Sequence, residues 1–194
     1  MKDLLIMKFG GTSMGSADRI RVAARISMEQ QRQRPVAVVV SAMSKVTDLL
    51  LESLLRAEAG DRAGLDANVQ KLQDRHVECC HELLPKTKQE PVLAGIHFLI
   101  SEFQRIANGM MMLADRPPRS ADEAVAIGER LAALLMAAYL EAEHIHSVAI
   151  NASSIIVTDA VFGNATPLMT PTREKARRNL MPWLEGGALP VITG

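Results

Sequence analysis

An α/β fold built on a mainly parallel sheet is predicted by three observations. All-apolar runs at residues 4–7 and 36–40 flank a single amphipathic helical segment, so strand, helix and strand follow one another directly. Residues 49–118 contain no strand-like run, and their apolar residues recur at helical spacing. Short apolar runs return at residues 147–150, 155–158 and 189–194, after an Ala/Leu-rich helix.

The elements follow in order. Leu4-Leu5-Ile6-Met7 reads as a strand buried on both faces, and it runs into Lys8-Phe9-Gly10-Gly11-Thr12-Ser13. Gly10 and Gly11 lack Cβ, so the backbone can turn sharply and press N–H groups against a bulky anion. Lys8 adds a mobile point charge, and Thr12 and Ser13 offer hydroxyl donors. The set suits a polyphosphate, and it is equally compatible with an ordinary strand-to-turn junction. The lysine precedes the glycines, so the loop is neither a Walker A loop nor GxGxxG.

Ser16 is an N-cap candidate for a helix with Ile20, Ala23, Ala24 and Ser27 on one face, which ends before Pro35. Val36-Ala37-Val38-Val39-Val40 is the second strand and completes a right-handed βαβ unit. It too ends in small polar residues, Ser41-Ala42-Met43-Ser44-Lys45-Val46-Thr47-Asp48. Ligands of open α/β sheets lie beyond the carboxyl ends of strands, so two such ends strengthen the phosphate reading. Thr47 and Asp48 read either as site residues or as N-caps of a helix from Leu49, and for Asp48 the cap is favoured.

Residues 49–118 read as a helical insertion broken at Gly60, Pro85 and Pro91, packing on the sheet or on another subunit. Met110-Met111-Met112 reads as adaptable core, and His81 and His97 as surface residues. His76, Cys79 and Cys80 could meet on one helix face. No second cluster has zinc-like spacing, so reduced, partly buried thiols are expected. Ser120-Ala121-Asp122-Glu123 reads as a capping box opening a helix to about Ala142.

Inside that helix, Glu129 has Val125, Ala126, Ala132 and Ala133 as helical neighbours, so no local cation can pair with it. It needs an outside partner, such as a ligand ammonium, or water. Gly128 costs roughly 1 kcal/mol in a helix interior, which points to a close approach there. Arg130 is expected to snorkel or to form a structural pair. Beyond the short fourth strand at residues 155–158, Gly163-Asn164 marks a turn, and a basic helix at residues 172–184 leads through Gly186-Gly187 to the last strand.

Composition bounds the rest. The 194 residues are 48% hydrophobic and 23% charged, with formal net charge zero, as in an ordinary globular domain without general attraction to nucleic acid or anionic membrane. Aromatic residues are 3%, too few for a base-stacking platform. The longest uncharged apolar run, residues 131–140, is half the roughly 20 residues a transmembrane helix needs. Met1-Lys2-Asp3 and a short apolar run fall far short of a signal peptide, so a cytoplasmic location is expected.

Five blocks together resemble the aspartokinases of the amino acid kinase family. They are Lys8-Phe9-Gly10-Gly11-Thr12-Ser13, Ser41-Ala42-Met43-Ser44-Lys45-Val46-Thr47-Asp48, Gly128-Glu129-Arg130-Leu131, Ile155-Ile156-Val157-Thr158-Asp159 with Phe162-Gly163-Asn164-Ala165, and Pro190-Val191-Ile192-Thr193-Gly194. They stand in family order across the chain. The resemblance implies a three-layer αβα sandwich and ATP-dependent phosphorylation of the aspartate β-carboxylate, the first step towards lysine, threonine and methionine. It implies Lys8 as the catalytic phosphate contact, with Gly10, Gly11, Thr12 and Ser13 beside the ATP phosphates. It implies Ser41, Thr47 and Glu129 as L-aspartate contacts, Glu129 facing the α-ammonium. Mg²⁺ would be held mainly by ATP phosphates, and the parent would be a homo-oligomer. A carboxylate acceptor is already ionised at neutral pH, so no general base is needed.

Lys45 stands where the family commonly has Gly, and Asp48 where it has Asn. The family's Arg-Gly-Gly-Ser-Asp block, its nucleotide-binding half and its ACT regulatory domains are absent from these residues. The expectation is therefore an N-terminal lobe, residues 1–194, inactive alone, within a longer enzyme. A non-catalytic lobe that binds small anions or a partner is the alternative, and a sister kinase acting on glutamate or N-acetylglutamate is a weaker third reading.

Overall fold

The computed structural model describes residues 3–194; Met1 and Lys2, on which part of the signal-peptide argument rests, lie outside them. Strands β1 (Leu5–Phe9), β2 (Val36–Val40), β3 (Ser147–Ile150) and β4 (Leu189–Thr193) form one sheet, ordered β1-β2-β4-β3 and parallel throughout. The registers align Met7 with Val38, Val38 with Val191 and Ala149 with Val191. Side chains alternate across a strand, so Val36, Val38 and Val40 face one layer and Ala37 and Val39 the other.

The larger layer holds α1 (Ala17–Gln31), α2 (Val46–Glu58), α3 (Arg62–Leu83), α4 (Lys86–Leu113), α5 (Pro118–Val125) and α6 (Ile127–Ala142). Ile20, Leu50, Leu72, Phe103, Leu131 and Leu135 are fully buried or nearly so within it. The thinner layer holds α7 (Met169–Asn179) and α8 (Met181–Glu185), where Leu184 packs with Ala37, Ile150, Ile155 and Ile192. The result is the three-layer αβα sandwich. No helix among the described residues is long and apolar enough to cross a membrane.

Several elements depart from the sequence expectation, each for a physical reason. Strand β1 lies at the sheet edge and is covered on one face only: Leu5, Met7 and Phe9 pack inward, while Ile6 is 62% exposed and Lys8 shares its open face. Residues 155–158 form no strand beyond a single bridge, Thr158 with Pro167. Their backbone is satisfied elsewhere: Ile156 N donates to Ala152 O (2.7 Å), Val157 N to Thr172 Oγ1 (3.0 Å), and Thr172 Oγ1 to Val157 O (3.2 Å).

Pro91 does not break the chain but sits inside α4, near its start, where only one intrahelical bond is forfeited. The segment expected as one helix from Ser120 is two helices meeting at Ala126. Pro117 and Pro118 open the first of these, so Ser120 lies within α5 and caps nothing. The basic segment is likewise split at Leu180, because Pro182 lacks the N–H to continue α7. Met110 is core, but Met112 is 87% exposed. Cys79 and Cys80 are free and buried, and burial pushes the Cys79 thiol up to about 12.

Candidate functional site

The loops that follow β1, β2 and β4 meet at the carboxyl end of the sheet. The chain moves inward from β1 to β2 and inward again from β3 to β4, so the crossovers diverge between β2 and β4. That is where open α/β sheets leave a crevice. The loops are tied together there: Ser41 N donates to Phe9 O (3.0 Å) and Gly194 N to Val40 O (2.8 Å).

After β1 the chain turns tightly, with Ser13 N and Met14 N donating to Gly10 O at 2.8 and 3.1 Å. The turn is anchored by fully buried Met14, and Ser16 Oγ caps α1 by accepting from Arg19 N (3.4 Å). The two glycines serve different ends. A Cβ on Gly11 would stand 3.0 Å from Ala42 O, so this loop can lie against the β2 loop only without a side chain. A Cβ on Gly10 would meet no protein atom, so its face is open to a ligand. The amides of Gly10, Gly11 and Thr12 make no hydrogen bond among the described residues, and exposed Lys8 forms no ion pair among them. Free amides beside a lysine fit an anionic phosphate.

The β2 loop enters α2 through Lys45, which has φ +64° and no side-chain cap. Neither Thr47 nor Asp48 is the cap; both lie in the first turn, Thr47 half-buried and Asp48 exposed. The left-handed backbone at Lys45 is one that favours glycine.

Glu129 lies in the first turn of α6. Its Oε1 accepts from Ala42 N (3.4 Å), and no cation pairs with it among the described residues. Its neighbour Arg130 is committed to Glu102 at 2.9 Å. Burial raises the Glu129 carboxyl above the usual value, against hydrogen bonds from its own amide and from Ala42 that lower it. Gly128 makes this approach possible, since a Cβ there would stand 2.9 Å from Ala42 Cβ and 3.1 Å from Leu50 Cδ1.

Glu129 lines a cleft of about 610 Å³ together with Arg116, Asp122, Val125, Gly163 and Gly194. Sequence reasoning gave no site role to Arg116, which fell in the helical insertion, or to Asp122, which fell inside the expected capping box. Lys8, Gly10, Gly11, Thr12, Ser13, Ser41 and Thr47 are not walls of this cleft, and Ser13 lines a separate groove with Phe9, Arg19 and Val22. The glycine turn and the Glu129 cleft are instead adjacent through Ala42, whose carbonyl faces Gly11 and whose amide faces Glu129. A larger cleft, about 690 Å³ between Gln31, Arg34 and Ala188, opens at the amino end of the strands, away from every one of these loops.

The arrangement has known counterparts. The Amino acid kinase family model matches residues 3–194. Aspartokinase 3, chloroplastic, of Arabidopsis thaliana is 31% identical over 192 residues, covering 97% of this chain and 33% of that protein. The aspartokinase of Chlamydia trachomatis is 32% identical over 163 residues, covering 84% of this chain and 34% of its own. Among solved structures, E. coli aspartokinase III with aspartate and ADP superposes with a TM-score of 0.88 at 24% identity, over 99% of this chain and 40% of that one. The same enzyme with lysine and aspartate gives 0.87 over 98% of this chain and 40% of that one. This chain thus spans about a third of the length of these curated relatives. It belongs to the amino acid kinase family.

Proposed function

We propose that this chain forms the amino-acid-accepting part of an aspartate kinase, which transfers the ATP γ-phosphoryl group to the β-carboxylate of L-aspartate and so opens a route of amino-acid biosynthesis. The observation that carries the reading is Glu129: a half-buried carboxylate, raised by burial, on a cleft wall at the carboxyl end of the sheet, with no protein cation beside it among the described residues. An α-ammonium there would supply the missing charge. The names of the relatives, and the complex of the E. coli enzyme with aspartate and ADP, support the same substrates.

In this reading Lys8 and the free amides around Gly10, Gly11 and Thr12 neutralise the phosphate oxygens, with Ser13 closing the turn. Ser41 and Thr47 line the path between phosphate and acceptor. Transfer between two anions needs placement and charge neutralisation more than proton chemistry. Mg²⁺, a hard cation that takes few protein ligands beside substrate phosphates, would arrive on the nucleotide. Turnover would require the nucleotide-binding half that these residues lack, and the 194 residues alone would bind without catalysing.

The test is an NMR titration of the ¹⁵N-labelled chain with L-aspartate, L-glutamate and succinate. L-Aspartate should perturb the amides of Ala42 and Glu129, and succinate, which lacks the ammonium, should bind at least about tenfold more weakly. Equal responses to succinate and L-aspartate would remove Glu129 from the ammonium subsite. No response at either amide would sink the cleft assignment.

A further inference from the structure

The segment between Thr158 and Pro167 is a self-contained loop. Its ends are bridged, Asp159 Oδ1 accepts from Val161 N (3.2 Å) and Thr166 N (3.0 Å), and Asn164 N donates to Val161 O (3.2 Å). Those amides hold the Asp159 carboxyl below its usual range. The loop is thus rigid within itself, yet residues 161–170 are all exposed, so no buried side chain seats its tip on the body of the protein. Even Val161 and Phe162 are 54% and 45% exposed.

Among the described residues one hydrogen bond and one cation–π contact reach the tip, and both come from one face of α5. Asp122 Oδ2 accepts from Gly163 N at 2.7 Å, and the Arg119 guanidinium stands 5.9 Å from the centre of the Phe162 ring. Residues three apart share a helix face, so Arg119 and Asp122 grip adjacent residues of the loop together. Gly163 has φ +78°, a backbone that L side chains rarely adopt, and this presents its amide to the carboxylate. Asp122 and Gly163 both line the cleft that holds Glu129, and α5 runs through Ala126 directly into the helix carrying Glu129.

We propose that Asp122 is a positioning residue: together with Arg119 it holds the loop of residues 158–167 at the rim of the Glu129 cleft, so that an amino-acid ligand is enclosed between the loop and Glu129. The ligand part of this proposal rests on the reading of the cleft given above; the latch itself does not. A carboxylate accepting from a backbone amide is a charge-assisted bond, stronger than its neutral equivalent. It is the one hydrogen bond found between the loop tip and the rest of the protein among the described residues.

The experiment compares wild type, Asp122→Ala, Asp122→Asn and Arg119→Ala by Gly163 amide exchange and by L-aspartate titration followed at the Ala42 and Glu129 amides. Asp122 is exposed, so circular dichroism should show all four folded. Asp122→Ala should lose about tenfold of Gly163 protection and about tenfold of aspartate affinity, whereas Asp122→Asn, which keeps an acceptor oxygen, should restore most of both. Arg119→Ala should fall between wild type and Asp122→Ala in both readouts. Gly163 exchange that is unchanged in Asp122→Ala overturns the latch. Lost protection with unchanged aspartate affinity overturns the positioning role. A wild-type chain that shows no aspartate response removes the assignment of the cleft, and Gly163 exchange then decides the latch by itself.

Discussion

The Glu129 carboxylate accepts from the amide of Ala42, 87 positions away in the chain, and this contact joins the loop beside the glycine turn to the Glu129 cleft. Ala42 turns its carbonyl towards Gly11 and its amide towards Glu129, so a shift of either loop is felt by the other. Burial raises the Glu129 carboxyl, so the native chain favours its protonated form more than the unfolded chain does.

L-Aspartate affinity should therefore fall as pH drops through this raised value, beginning at a higher pH than an ordinary glutamate would give. Binding should release a proton there, since a bound ammonium favours the charged form. Glu129→Gln should weaken binding by about 2 kcal/mol, the scale of a hydrogen bond to a charged group, and flatten the acidic limb of the profile. It should also stabilise the free protein at neutral pH, because no charge is then buried. Calorimetric titration across the acidic range measures the first effect and urea denaturation the second. A parallel pH profile in the variant would show that another group governs binding.

Gly128 should tolerate no side chain. A Cβ would press on Ala42 Cβ (2.9 Å), Leu50 Cδ1 (3.1 Å) and Val46 Cγ1 (3.2 Å), and both Val46 and Leu50 are fully buried. Alanine gains about 1 kcal/mol of helix propensity, but overpacking of a dense core costs about 1–3 kcal/mol. Net loss is expected because the neighbours belong to α2 and to the loop behind it, which cannot recede freely. Gly128→Ala should thus lower the urea midpoint and shift the Ala42 amide resonance. A midpoint above wild type would mean that α6 is free to move outward.

Lys45 carries the opposite expectation. Its φ of +64° costs a side-chain-bearing residue about 1–2 kcal/mol, and its cation sits at the amino end of α2, where the helix dipole opposes it by about 0.3–1 kcal/mol. Glycine removes both penalties at a cost of about 0.5–1 kcal/mol in unfolded-chain entropy. Lys45→Gly should therefore raise stability by about 1 kcal/mol, and Lys45→Asn by somewhat less. Thermal unfolding of the three chains checks the order, and a less stable glycine variant would refute the strain argument.

How far the sequence reveals this molecule depends on the range of the force involved. The parallel sheet was legible because Val36–Val40 is apolar at every position, and Gly128 and Glu129 stood out because each violates a local rule of helix composition. The edge position of β1 was not legible. Leu4-Leu5-Ile6-Met7 has the composition of a central strand, and only the tertiary arrangement leaves Ile6 uncovered. Residues 155–158 misled for a similar reason: their β-branched side chains favour a strand, but Thr172, from a later helix, takes their hydrogen bonds. Asp122 was hidden by a local signal, since an acidic residue in the first turn of an expected helix is explained by the helix dipole without any distant partner. Its contact with Gly163 spans 41 positions and follows from no pattern in either segment.

His76 makes a prediction about stability alone. It is fully buried on α3, and Nδ1 donates to Leu72 O at 2.7 Å, because a carbonyl can only accept. Nε2 is buried with no partner among the described residues. Burial is the main cause that lowers this imidazole to about 4, with the Arg75 charge adding to it and the Leu72 bond opposing. The unfolded imidazole titrates near 6.5, so between about pH 6.5 and 4 the unfolded chain binds the extra proton. Stability from this group is complete above that window and is lost as pH falls through it, a change of about 3 kcal/mol at roughly 1.36 kcal/mol per unit. His76→Leu removes both the titration and the orphaned nitrogen. Its urea midpoint should change much less than wild type between about pH 7 and pH 4, and equal acid sensitivity in the two proteins would assign the effect to carboxylates instead.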